Sequence, residues 1–162
     1  MTKYEEIIAH LKDVNPAAAE IMEDEVDIII HKLKFLPKDN FPIVTILEEE
    51  NDFQPIYNSL LVEKVSIAGG VLSNTLNDNP QVIIIMQQSD NLYTVLPPFL
   101  SNLKTQKIRA LIENKVFIIQ HESLSDNDEK YTNDLEILSE ILQPKYFVYG
   151  HDGEEWVKFD LL

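Results

Sequence analysis

A chain of 162 residues that is 44% hydrophobic has the size of one domain and enough apolar side chain for a packed core, which excludes a disordered chain. Its 28 acidic residues against 13 basic ones give a formal net charge of -15, so nucleic acid and anionic membrane are repelled over most of the surface. The absence of cysteine excludes disulfides, thiolate metal sites and a cysteine nucleophile together.

The N-terminus, Met1 to Glu6, lacks the positively charged start, apolar run and small-residue cleavage site of a secretory signal. As written, the chain is expected in the cytoplasm, or in the periplasm if a leader has been removed. Apolar runs such as Val82 to Met86 are too short for membrane insertion. Thr2 and Glu5 form a capping box, and Tyr4, Ile7, Ile8, Leu11 and Val14 follow at helical spacing. Asn15-Pro16 restarts the pattern as cap and first helical residue. Ala18, Met22, Val26, Ile29, Leu33 and Leu36 then predict a long helix ending at Pro37. The acidic run from Glu20 to Asp27 reads first as a solvated helix face and second as a dock for a basic partner.

From Pro42 the period changes. Ile43 to Leu47, Val82 to Met86 and Val116 to Ile119 are continuous apolar runs of strand length, as expected where helices cover both faces of a parallel sheet. A further short strand is expected over Gln54 to Asn58. Helices are predicted from Leu60 to Ala68 with Ser59 as cap, from about Pro98 to Glu113, and around Leu135, Leu138 and Ile141 up to Pro144. The tail, Tyr146 to Tyr149 and Trp156 to Phe159, suits an edge hairpin around His151-Asp152-Gly153. The whole predicts one domain over 1–162: two N-terminal helices within 1–37, then an α/β lobe over 42–162 built as three layers, α/β/α, around a mostly parallel sheet.

Four segments in one order carry a resemblance: Leu60 to Gly70, closing on Ala68-Gly69-Gly70; Asn79-Pro80-Gln81-Val82-Ile83-Ile84-Ile85; Ile108 to Ile119; and Asp134 to Phe147. They resemble the C-terminal lobe of class III substrate-binding proteins of ABC importers for iron complexes (siderophore, haem) and cobalamin, with Gln81 where that family's strand motif has Asp. The helix from Pro16 to Leu36 resembles the one that joins the two lobes of that family. The resemblance implies reversible binding of an iron complex, haem or corrinoid without covalent chemistry, and a part in iron uptake. The loop from Val71 to Asp78 is shorter than the family's, so no permease-docking residue is carried over.

In open α/β sheets, ligands sit beyond the carboxyl ends of the strands. Reading past the three strands gives Glu48, Glu49, Gln87, Gln88, His121 and Glu122 as candidate ligand-binding residues. The set is acidic and amide-rich, suiting a cation, a metal complex or a hydroxylated ligand; the plainer reading is that loop ends are polar because they meet water. His10 and His31 have no second histidine at helical metal spacing. His121-Glu122 and His151 to Glu155 hold ligand-type residues, but the second cluster reads better as a charged turn, and no metal site or cofactor is expected. Tyr57, Tyr93, Tyr146, Tyr149 and Trp156 either pave a haem or corrin surface or serve the core. Gly69-Gly70 reads as a helix C-terminus, since no phosphate-loop spacing is present. Without a nucleophile elbow or a spaced triad, the chain is not expected to be an enzyme. The alternative to a ligand-binding lobe is a protein-interaction module that kept the fold, self-associating as a homodimer through its N-terminal helices.

Overall fold

The computed structural model describes residues 1–120 and 123–161. Helix α1 (Lys3–Val14) starts at the expected capping box, and α2 (Pro16–Leu33) at Asn15, whose side chain accepts from the Ala18 N–H. The α2 helix stops one turn before Pro37, with residues 34–36 in a turn. After Pro42 the chain enters β1 (Ile43–Glu48), followed by β2 (Gln54–Pro55), α3 (Ser59–Ile67), β3 (Val71–Ser73), β4 (Val82–Met86), α4 (Leu92–Leu103), α5 (Arg109–Ile112), β5 (Val116–Ile119), α6 (Tyr131–Leu142) and β6 (Trp156–Phe159).

The sheet runs β2-β1-β4-β5-β6. Strands β1, β4 and β5 are parallel neighbours, with Glu48 beside Met86 and Met86 beside Ile119. Strand β3 lies parallel to the first half of β1 and β2 antiparallel to its end, so both share one edge. Antiparallel β6 closes the other edge. Alternate side chains go to opposite faces. Val44, Ile46, Val82 and Ile84 pack under α3 and α6, whereas Leu47, Ile83, Ile85, Val116 and Ile118 pack under α4 and α5. This is the expected three-layer α/β/α arrangement. Helices α1 and α2 pack on the outer side of α6, joining Ile7, Ile8, Met22, Val26 and Ile29 to Tyr131, Leu135 and Phe147.

Several sequence expectations are corrected. The helix expected from Pro98 begins at Leu92 and carries Pro97 and Pro98 inside it. Its buried face, Leu92, Leu96, Leu100 and Leu103, sets the period. Both prolines, with Tyr93 and Thr94, lie on the exposed side, where carbonyls that lose a helical partner still meet solvent. Lys107 then takes a left-handed φ of 53° and separates α4 from α5. Asn58, not Ser59, caps α3, accepting from the Leu61 N–H at 2.8 Å. The tail is no hairpin, for only 156–159 form a strand. The Glu140 carboxylate accepts from the N–H groups of Tyr149, Gly150 and His151, replacing a strand ladder with a buried side chain, and Phe147 is buried beneath α2. Gly69 ends α3 as expected, at φ +97°, and a Cβ there would lie 2.7 Å from Gln143 Cγ.

Two polar ties, one half-buried and one buried, fix the helical layers. Glu63 on α3 accepts from the backbone N–H groups of Lys3 and Tyr4 at 2.9 and 3.0 Å and from the Tyr131 hydroxyl. Lys64, 1% exposed, pairs with Asp134 on α6 at 2.7 Å and donates to the Ser125 carbonyl. The Leu124 N–H donates to the same carboxylate.

Candidate functional site at the carboxyl ends of the strands

Parallel pairing places the ends of β1 and β4 side by side, so the segments that follow them meet. After Glu48 the chain makes one short turn and reverses at Asp52 and Phe53, both at positive φ. After Met86 it runs through Gln87-Gln88-Ser89 into α4. The Glu49 carboxylate accepts from the Gln88 N–H at 2.7 Å, the Ser89 N–H at 2.9 Å and the Ser89 hydroxyl. The Gln88 amide donates to Glu48 at 3.0 Å and accepts from the Glu50 N–H. Partial burial would push the Glu49 carboxyl up; the Ser89 hydroxyl and the two N–H groups outweigh it and hold the group below its ordinary range.

Four of the six candidate residues, Glu48, Glu49, Gln87 and Gln88, therefore converge at the strand ends, while His121 and Glu122 lie outside the described residues. The convergence is largely internal. Glu49 and Gln88 form a latch, each side chain spending its polar atoms on the opposite loop. Gln87 is buried; its amide donates to the Ser89 carbonyl at 3.0 Å, and its Oε1 finds no partner among the described residues.

Beside the latch is a cavity of about 440 Å³, between the ends of β1 and β4, the segment entering α3, and the loop before α6. Ile56, Leu61, Met86 and Leu124 give it apolar walls, and Glu48, Asn58 and Asp126 supply polar groups. Lys64 reaches it too, but its ammonium is held by Asp134 and Ser125. Two carboxylates with no uncommitted lysine favour a cation or a hydroxylated solute over an anion. The set shares only Glu48 with the sequence-derived list. Residues 56–58 escape strand-end reasoning because they follow the antiparallel β2, and 124–126 because they lie further along the loop after β5 than the residues that directly follow the strand; the Asn58 cap was the available signal.

The other candidates do not gather there. Trp156 belongs to the core beneath α6, Tyr149 stacks on Phe147, and Tyr93 faces Phe159. His151 bridges two carboxylates, its Nε2 2.9 Å from Glu136 and its Nδ1 2.7 Å from Glu155. These approach opposite ring nitrogens and share no focus, and among the described residues no group of three His, Asp or Glu side chains is placed to hold a metal. Burial would lower the His151 pKa, but Glu136 and Glu155 together raise it. Among the described residues no helix is long and apolar enough to cross a membrane.

No protein-family profile matches the chain, and no curated protein matches it in sequence. Solved structures do resemble it. An ABC transporter substrate-binding protein from Listeria monocytogenes EGD-e matches with a TM-score of 0.64 at 16% identity, over 88% of this chain and 66% of its own. An ABC transporter solute binding protein from Sulfurospirillum deleyianum DSM 6946 gives 0.63 at 17%, over 90% and 52%. The TroA-like periplasmic binding protein FepB from Veillonella parvula gives 0.55 at 15%, over 80% and 46%. The chain thus spans about half to two thirds of the length of these proteins. At such identities the likeness is one of fold: this chain's mostly parallel α/β lobe resembles part of the structures of ABC-transporter binding proteins.

Proposed function

We propose that this chain is a non-catalytic ligand-binding lobe related to the substrate-binding proteins of iron-complex and cobalamin ABC importers, with a role linked to iron uptake. The observation that carries the reading is the cavity at the carboxyl ends of β1 and β4, the position at which open α/β sheets take ligands. The fold shared with ABC-transporter binding proteins and the four sequence segments support it. A cavity of about 440 Å³ accommodates a small solute or one edge of a large chelate. Glu48 and Asp126 select for positive charge or hydroxyl groups, and Ile56 and Met86 supply apolar contact. The alternative, a protein-interaction module, is favoured by one observation, an exposed apolar face on α2.

Ligand binding is tested by thermal unfolding against ferric siderophores, haem, cobalamin and divalent metals. A ligand at about a hundredfold over its Kd adds about 2.7 kcal/mol, which raises the Tm of a chain this size by roughly 5 to 10 °C. Ile56→Trp, which fills the cavity, should abolish that shift, and Asp126→Asn should reduce it. The reading fails if no member of the panel moves the Tm at saturation.

A further inference from the structure

Helix α2 buries Ala19, Met22, Val26, Ile29 and Leu33 and turns its opposite side to solvent. That side is not polar throughout. Ile21 is 59% exposed, Ile28 52% and Phe35 80%. These three recur every seven residues, so they line one stripe along the helix with only a small drift. Lys34 keeps helical backbone angles, which extends the stripe past the formal end of α2 to Phe35. Single exposed apolar residues are ordinary on protein surfaces; here three share one line along the helix, one every two turns, with the exposed Asp24, Glu25, His31 and Lys32 between them.

Charge along this face is segregated. Glu20, Asp24 and Asp27 precede or flank Ile28 in the first half, and His31 and Lys34 follow it; all five are exposed. A helix acidic at one end and basic at the other is complementary to itself when reversed. Shape is self-complementary as well. Between α1, α2 and the segment entering α6, alongside Ile21, runs a groove of about 650 Å³ with Leu11, Val14, Ala18 and Ile21 as apolar wall and Glu25 and Glu129 among its polar lining. Ile21 and Phe35 lie equally far from Ile28, each about 10 Å along the axis at 1.5 Å per residue. A two-fold axis at Ile28 therefore brings Phe35 of one copy to the groove of the other, in both directions at once.

We propose that the exposed face of α2 is a homodimer surface, on which two copies of this chain pair antiparallel about Ile28. In that pairing each Phe35 seats against Ile21 and Val14 of the second copy, Asp24 lies opposite the second copy's His31, and Glu20 comes within a turn of its Lys34. The interface is isologous and closes at two copies, since every contact occurs twice. It involves none of the cavity residues at the strand ends, so it stands or falls apart from ligand binding.

The chain has no cysteine, which gives single-cysteine variants a clean background. Light scattering of the unmodified chain at micromolar concentrations should give twice 18.7 kDa, and Ile28→Asp and Phe35→Glu should each return the monomer mass with an unchanged far-ultraviolet spectrum. Under mild oxidation Ile28→Cys should cross-link to itself. Phe35→Cys should not, because its two copies would be roughly 20 Å apart, whereas Phe35→Cys mixed with Ile21→Cys should form a mixed disulfide. A monomer at all these concentrations overturns the proposal, and so does a dimer indifferent to Ile28→Asp. Self-cross-linking of Phe35→Cys would mean a parallel pair and would overturn it equally.

Discussion

His151 is held on both sides by acid. Glu136 reaches it from α6 and Glu155 from its own loop, Glu140 accepts from its backbone N–H, and the Tyr149 ring lies 6.4 Å away. With two carboxylates on its ring nitrogens, the folded protein holds the His151 proton more tightly than the unfolded chain, whose histidine titrates near its ordinary 6.5. The cluster's contribution to stability is therefore complete below about pH 6.5 and is lost as pH rises through the higher folded value. His151→Gln keeps a hydrogen-bonding side chain but cannot titrate. Urea unfolding midpoints taken from mildly acidic to mildly alkaline pH should fall less steeply for His151→Gln than for the parent chain. Parallel pH profiles in the two proteins would sink the assignment.

Among the elements, α3 and α6 are joined through the fully buried Lys64–Asp134 pair. Burial pushes the Asp134 carboxyl up against the pull of Lys64 and the Leu124 N–H, so the carboxylate depends on its partner. Lys64→Met should destabilise the protein by about 3 to 5 kcal/mol, the usual consequence of stranding one buried charge, while Lys64→Met with Asp134→Leu should recover most of that. In the single variant, protonating Asp134 removes the stranded charge, so the deficit should shrink toward acid. Chemical denaturation of the three variants measures this, and a single-variant loss under about 1 kcal/mol would mean that water reaches the pair. Such a tie is invisible in the sequence, because Lys64 and Asp134 are 70 residues apart and each stands in a segment that reads as an ordinary amphipathic helix. Elements set by local pattern were legible: the apolar runs of β1, β4 and β5, the Thr2 capping box and Gly69. Strand β3 was not, since its three residues begin with the exposed Val71 and owe their form to pairing with β1. At the site, strand-end reasoning pointed to Glu48, Glu49, Gln87 and Gln88, of which Glu49 and Gln88 form the latch. It missed Ile56, Asn58 and Asp126, which reach the cavity through the folding back of two loops.

At the scale of the whole molecule, the charge imbalance acts on every part. With 28 acidic and 13 basic residues, pairing every base would still leave 28 - 13 = 15 carboxylates without a counterpart. Exposed pairs such as Lys12–Glu23 and Arg109–Glu113 each contribute only about 0 to 1 kcal/mol. Repulsion among the remaining acids therefore outweighs what salt takes from those pairs. Between about 10 mM and about 100 mM salt the Debye length falls from roughly 30 Å to roughly 10 Å, shorter than most distances across the fold. The Tm should rise over that range. The same excess opposes the approach of two copies, so pairing through α2 should tighten with salt over this interval even though its Glu20–Lys34 contacts are themselves screened. Ile28→Asp separates the two effects: as a monomer it should keep the intramolecular gain in Tm and lose any dependence of Tm on protein concentration. A Tm that falls between those two salt concentrations, in the parent chain and in Ile28→Asp alike, would show that local ion pairs and not net repulsion govern the electrostatics of this fold.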